Sequence, residues 1–249
     1  MPTFFELPVT PTIALLAFIA SFFGALVQGS VGYGAAIVAA PLLVLLDRAF
    51  VPGPMLAAGS VLALLMTRRE WRAADYRGVS TAIAGRLLGI GPAILAVGVV
   101  PDAIFQMIFA GVLLSAVAVS VAGWKVTPTP GHLFAAGAVS GFTGTLASIG
   151  GPPMALIYQH SAGDRLRATM SVYFVIGGSL SVLSLWMFGE FGRQEMTLAA
   201  LLLPGIFAGY LCSCFTAPLL DAGRTRPAVL AVASLAAVAV LIRAIRYTY

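Results

Sequence analysis

The stretch "QGSVGYGAAIVAAP", Gln28 to Pro41, decides the fold. It lies inside an uncharged run from Thr12 to Leu46, yet it carries Gly29, Gly32 and Gly34. A glycine inside a helix costs about 1 kcal/mol relative to alanine. Three placed so close together predict an interruption. In hydrocarbon each unpaired N–H or C=O costs several kcal/mol, so interrupted backbone has to be buried in protein or line a polar cavity.

The composition agrees with a bilayer setting. Of 249 residues, 60% are hydrophobic and 9% charged, against roughly 25% charged in soluble domains. A second uncharged run extends from Ala103 to Trp124, and a spanning helix needs about 20 such residues. The chain reads as an all-α, polytopic integral membrane protein. The net charge of +5 resides largely in short connectors, "RREWRAADYR" (Arg68 to Arg77), "DRLR" (Asp164 to Arg167) and "DAGRTR" (Asp221 to Arg226). Basic connectors report membrane topology, so nucleic acid is not an expected partner. Cys212 and Cys214 sit in an apolar run and read as packing residues. No basic region precedes the first apolar run, so a cleaved signal peptide is not expected.

Charges, prolines and glycines divide the chain into ten segments, about 12–30, 33–46, 51–67, 78–99, 102–123, 131–147, 150–160, 168–188, 197–219 and 227–246. The short ones, 33–46 and 150–160, each follow a glycine-rich break and either span or re-enter; re-entry leaves eight spans. Displacement by 112 positions places Gly29 on Gly141, Gly32 on Gly144 and Pro41 on Pro153. A later displacement of 120 places Gly85 on Gly205 and Gly89 on Gly209. The order of features recurs, so a single membrane domain of two repeats is expected, about 12–123 and 131–246, joined by 124–130. Five segments per repeat would invert the second. With the N-terminus outside, the inner connectors hold Arg68, Arg69, Arg72, Arg77, Lys125, Arg165, Arg167, Arg224 and Arg226, and the outer side only Arg48, Arg193, Arg243 and Arg246.

The second copy of the break is "SGFTGTLASIGGPPMA", Ser140 to Ala155. Paired broken helices point to a transporter site near the midplane, and half-helix ends attract anions. The expected substrate-binding residues are Gln28, Gly29, Ser30, Gly32, Tyr33 and Gly34 from the first break, and Gly141, Thr143, Gly144, Thr145, Ser148, Gly150 and Gly151 from the second. Small residues also serve helix packing in membranes, and that reading stands beside this one. Arg86, inside a segment, is either an anion ligand or a side chain that snorkels to the interface.

With these residues on the page, a resemblance is visible. "GALVQGSVGYGAAIVAAPLLVLL" and the later "GAVSGFTGTLASIGGPPMALIY", with "GRLLG" and "GIFAG", resemble the sulfite exporter TauE/SafE family of membrane permeases. The resemblance covers nearly the whole chain. It implies a permease for sulfite or organosulfonates in the bacterial inner membrane.

No carboxylate lies deep in a segment, and His132 and His160 fall at segment ends, so no proton relay or catalytic constellation is expected. No cofactor or metal is expected, and the expected partners are a small anion and the lipid bilayer. Transporters often pair, so a homodimer is a further expectation. Alternatives are a channel or carrier for another small anion or metabolite, a non-transporting scaffold subunit and an intramembrane enzyme.

Overall fold

The structure, a computed structural model, describes residues 9–122 and 126–220 together with residue 242. The expected tenth segment, 227–246, lies outside the described residues except for residue 242, and so do Trp124, Lys125, Arg224, Arg226, Arg243 and Arg246. The described residues form helices α1 (Pro11–Val31), α2 (Ala35–Leu46), α3 (Gly53–Glu70), α4 (Tyr76–Val97), α5 (Asp102–Ala122), α6 (Pro130–Ala147), α7 (Gly151–Tyr158), α8 (Gly163–Met187) and α9 (Arg193–Leu220), with no strand among them. Among the described residues, five helical stretches are long and apolar enough to cross a bilayer: α1, α4, α8, α9 and α3 with its flanking turns. The all-helical, polytopic expectation is met.

Local chemistry fixes the helix starts. Thr10 caps α1 by accepting from the Ile13 amide, with Pro11 behind it. Thr129 and Pro130 repeat this at α6, where the His132 amide donates. Proline belongs at this position because its missing N–H would be unpaired there anyway. Asp75 caps α4 through the Gly78 amide.

Packing fixes the helix directions. On α9, a Cβ at Gly205 would meet the Phe18 carbonyl oxygen of α1, and one at Gly209 would meet that of Phe22. On α4, Gly85 and Gly89 face the Phe134 and Ala138 carbonyls of α6 in the same ascending order. Both pairs are parallel. In contrast, Gly53 at the start of α3 lies by Phe191 beyond the end of α8, and Glu70 at the end of α3 bonds Arg167 near the start of α8. These two helices are antiparallel. Gly53 of α3 also faces Glu195 of α9 and Tyr210 of α9 donates to the Leu65 carbonyl, so α3 and α9 are parallel. The Asp75 amide before α4 donates to Thr169 and Arg86 to Ser181, so α4 and α8 are parallel, and α1, α3 and α9 run one way and α4, α6 and α8 the other.

The same contacts correct the register. Gly85 and Gly205 touch the carbonyls of Phe134 and Phe18, which are 116 positions apart, as are Ala138 and Phe22 facing Gly89 and Gly209. The glycine pattern had suggested 112. A slip of four residues is close to one turn and leaves side chains on nearly the same helix face, so a pattern of small residues survives it. At that offset of the expected repeats, Gly32 aligns with Ser148, Gly34 with Gly150 and Gln28 with Gly144.

The breaks are also narrower than the glycine content implied. Helix α1 continues through Gly29 to Val31 and ends on Gly32, at φ 101°. Helix α6 continues through Gly141 and Gly144 and ends on Ser148, at φ 62°. After each break the chain turns back along the helix it has left. A Cβ on Gly24 of α1 would meet Ala35 and Ala39 of α2. In the second copy, the Ser140 hydroxyl of α6 donates to the carbonyl of Gly150, which precedes α7. The short segments are the return limbs of two helical hairpins.

Candidate functional site

The hairpin tips meet around a cavity of about 60 Å³. Gln28, Gly34 and the first turn of α2 contribute one side, and Gly144, Ser148, Gly150 and Gly151 the other. Helix α3 adds Met55, Leu56 and Ser60; α8 adds Phe174 and Gly178. Arg86, from the middle of α4, reaches the same cavity.

Arg86 does not snorkel. It is 2% exposed. Its Nη1 donates to Ser140 Oγ and to the Tyr173 hydroxyl, both at 3.3 Å, and its Nη2 donates to Ser181 Oγ at 3.1 Å. The guanidinium carbon lies 5.3 Å from the Tyr173 ring centre. Nε is buried without a hydrogen-bond partner. Every partner is neutral, and no ion pair among the described residues includes Arg86. A charge at the centre of a spanning helix costs about 3 kcal/mol on insertion scales, and an uncompensated buried charge is strongly destabilising. Such a group is satisfied by an anion.

The space for it comes from glycine. A Cβ on Gly144 would lie 3.1 Å from Arg86 Nη2, and one on Gly177 would lie 2.6 Å from Nε. Gln28 holds the place corresponding to Gly144, and it behaves differently. Its Oε1 accepts from the Ala35 amide at 3.2 Å, capping the return helix. By helix geometry the next two amides, of Ala36 and Ile37, have no intrahelical partner, and both residues line the cavity. At α7 the corresponding residues are Pro152 and Pro153, which have no N–H. The second tip therefore donates less, although its "GGPP" reads as the fuller motif.

Of the sequence-predicted residues, the cavity gathers Gln28, Gly34, Arg86, Gly144, Ser148, Gly150 and Gly151. The others lie elsewhere. Gly29 packs on Ser213 and its carbonyl accepts from Arg69 at 2.8 Å. Ser30 bonds Thr216 of α9 at 2.9 Å. Gly32 faces Arg167, and Tyr33 packs near Gly151. Gly141 is a helix contact against the Arg86 backbone. Thr143 donates to the carbonyls of Val139 and Ile149, and Thr145 bonds Ser181 at 2.8 Å. Ser181 and Ser60 were not singled out from the sequence: isolated serines in an apolar helix give no signal. Ser148 is held in its left-handed conformation by a bond from its hydroxyl to the Pro52 carbonyl, 3.0 Å.

Two ionic groups lie by the hairpins, one at the tip of the first and one at the open end of the second. Glu70 accepts from Arg167 Nε through both oxygens, at 3.1 and 3.0 Å, and from Arg69 Nε at 3.0 Å. Asp75 accepts from Tyr158 of α7 and Arg165 of α8. Burial raises the Asp75 pKa, but the Gly78 amide, the Tyr158 hydroxyl and the Arg165 guanidinium outweigh it and hold the carboxyl below its ordinary value. A larger cavity of about 300 Å³ between α5, α6 and α7 is walled mainly by apolar side chains. Its His132 ring is engaged with the Thr127 carbonyl.

Paired hairpin tips around a buried cation, in a bundle of spanning helices, define a membrane transporter. A model of the sulfite exporter TauE/SafE family matches residues 17–240, and the chain belongs to that family, which is one of membrane transporters. No curated protein and no solved structure matches the chain.

Proposed function

We propose that this protein carries a small sulfur oxyanion, sulfite or a small organosulfonate, across the bacterial inner membrane by alternating access. The observation that carries the reading is Arg86: a buried guanidinium with only hydroxyl partners on the wall of a cavity between two hairpin tips. A guanidinium presents donors in a fork suited to oxyanions, and the first turn of α2 adds amides and the positive end of a helix dipole. The opposite directions of α1, α3, α4 and of α6, α8, α9 in turn support an inverted repeat, in which one half rocks against the other around a fixed site.

The test is uptake of radiolabelled sulfite, thiosulfate and sulfoacetate into proteoliposomes containing the purified chain. Wild type is expected to transport at least one of them. Arg86→Gln should lose at least tenfold in uptake, and Arg86→Lys should retain a part. Transport of none by wild type, or unchanged affinity in Arg86→Gln, defeats the proposal.

A further inference from the structure

We infer that the site selects compact anions without an ammonium group, and that it rejects zwitterionic sulfonates of the taurine type. This rests on the transport reading above and adds a boundary to its substrate class. The first observation is size. At about 60 Å³ the cavity is several times the roughly 10–15 Å³ minimum that admits a single water. A sulfite or a one- or two-carbon sulfonate is of that size.

The second observation is charge. Among the described residues, Arg86 is the only charged side chain lining the cavity, and no Asp, Glu or His joins it. Beyond the guanidinium and the helix amides the wall holds neutral groups alone, the polar Gln28, Ser60 and Ser148 and the apolar Ile37, Met55, Leu56, Ile149 and Phe174. The carboxylates near the hairpins are already committed, Glu70 to Arg167 and Asp75 to Arg165. An anion end seated on Arg86 would leave a trailing ammonium among neutral side chains, without a group of opposite charge and close to another cation. An unpaired buried charge is strongly disfavoured. A methyl or ethyl group in the same place meets the surface it prefers.

Competition against radiolabelled sulfite uptake in wild-type proteoliposomes tests this. Methanesulfonate and ethanesulfonate should inhibit, and taurine, which is ethanesulfonate with a terminal ammonium, should be at least tenfold weaker than ethanesulfonate. Equal potency of taurine and ethanesulfonate, or no inhibition by methanesulfonate, overturns the inference. Loss of sulfite uptake in Arg86→Gln is measured alongside. If that variant takes up sulfite normally, the underlying assignment of the site falls, whatever taurine does.

Discussion

Arg86 packs against the bare Cα of Gly177. A Cβ at that position would stand 2.6 Å from both Cδ and Nε of the arginine and 2.9 Å from its Cζ. Gly177→Ala should therefore displace the guanidinium while favouring helix α8, since alanine is the better helix former by about 1 kcal/mol. The expected outcome is a KM for sulfite raised about tenfold, with no loss of thermal stability in detergent. An unchanged KM would remove Gly177 as a positioning residue.

The α4–α6 seam depends on glycine at the backbone itself. Gly89 faces the Ala138 carbonyl oxygen and the Phe142 amide nitrogen, 2.6 Å from where a Cβ would stand. A flexible neighbour would yield to a larger side chain, but helix backbone does not. Gly89→Leu should separate the helices at a cost of about 3 kcal/mol or more. Lower yield of folded protein and an earlier melting transition would register this.

Glu70 holds two arginines at the tip of the first hairpin, and the side chains of Arg167 and Glu70 are only partly shielded, at 10% and 18% exposure. Glu70→Gln keeps the shape and removes the charge. The expected destabilisation is about 1–2 kcal/mol, between the values for exposed and buried pairs. A melting temperature that falls in the variant and responds less to added salt than in wild type would show it. Identical melting and identical salt response would mean that the pair contributes nothing.

Asp75 joins the start of α4 to α7 and α8. Its folded pKa is depressed, so the stability it adds is complete above the unfolded value of about 3.9 and is lost as pH falls through the lower folded value. Asp75→Ala should cost about 1 kcal/mol as a lost cap. The difference from wild type should be constant across the neutral range and shrink only in acid. A difference that changes between neutral and mildly alkaline pH would point to another group.

Much of this architecture is legible in the residues. The long uncharged runs mark the spanning helices, because lipid tolerates nothing else, and the positive-φ demand at Gly32 and Gly34 places the first tip. The second tip was harder to place. Its turn falls on Ser148, a residue type that does not announce a left-handed backbone, while Gly141 and Gly144 mark close packing inside an intact helix. The slip from 116 to 112 has the same origin, since one turn of helix returns a glycine to nearly the same face. Arg86 stood out as a charge in an apolar segment. Its neutral partners Ser140, Tyr173 and Ser181 come from two other helices and are brought together only by folding.

Pro152 and Pro153 take the places in the second tip where the first presents the amides of Ala36 and Ile37. The two tips share a shape, but the second donates less, so in the proposed transport cycle the solute would not meet mirror-image doors. A passive carrier built this way must still level the solute concentration on both sides. Its half-saturation should nevertheless differ between inside-out and right-side-out vesicles, with the balance offset by unequal maximal rates.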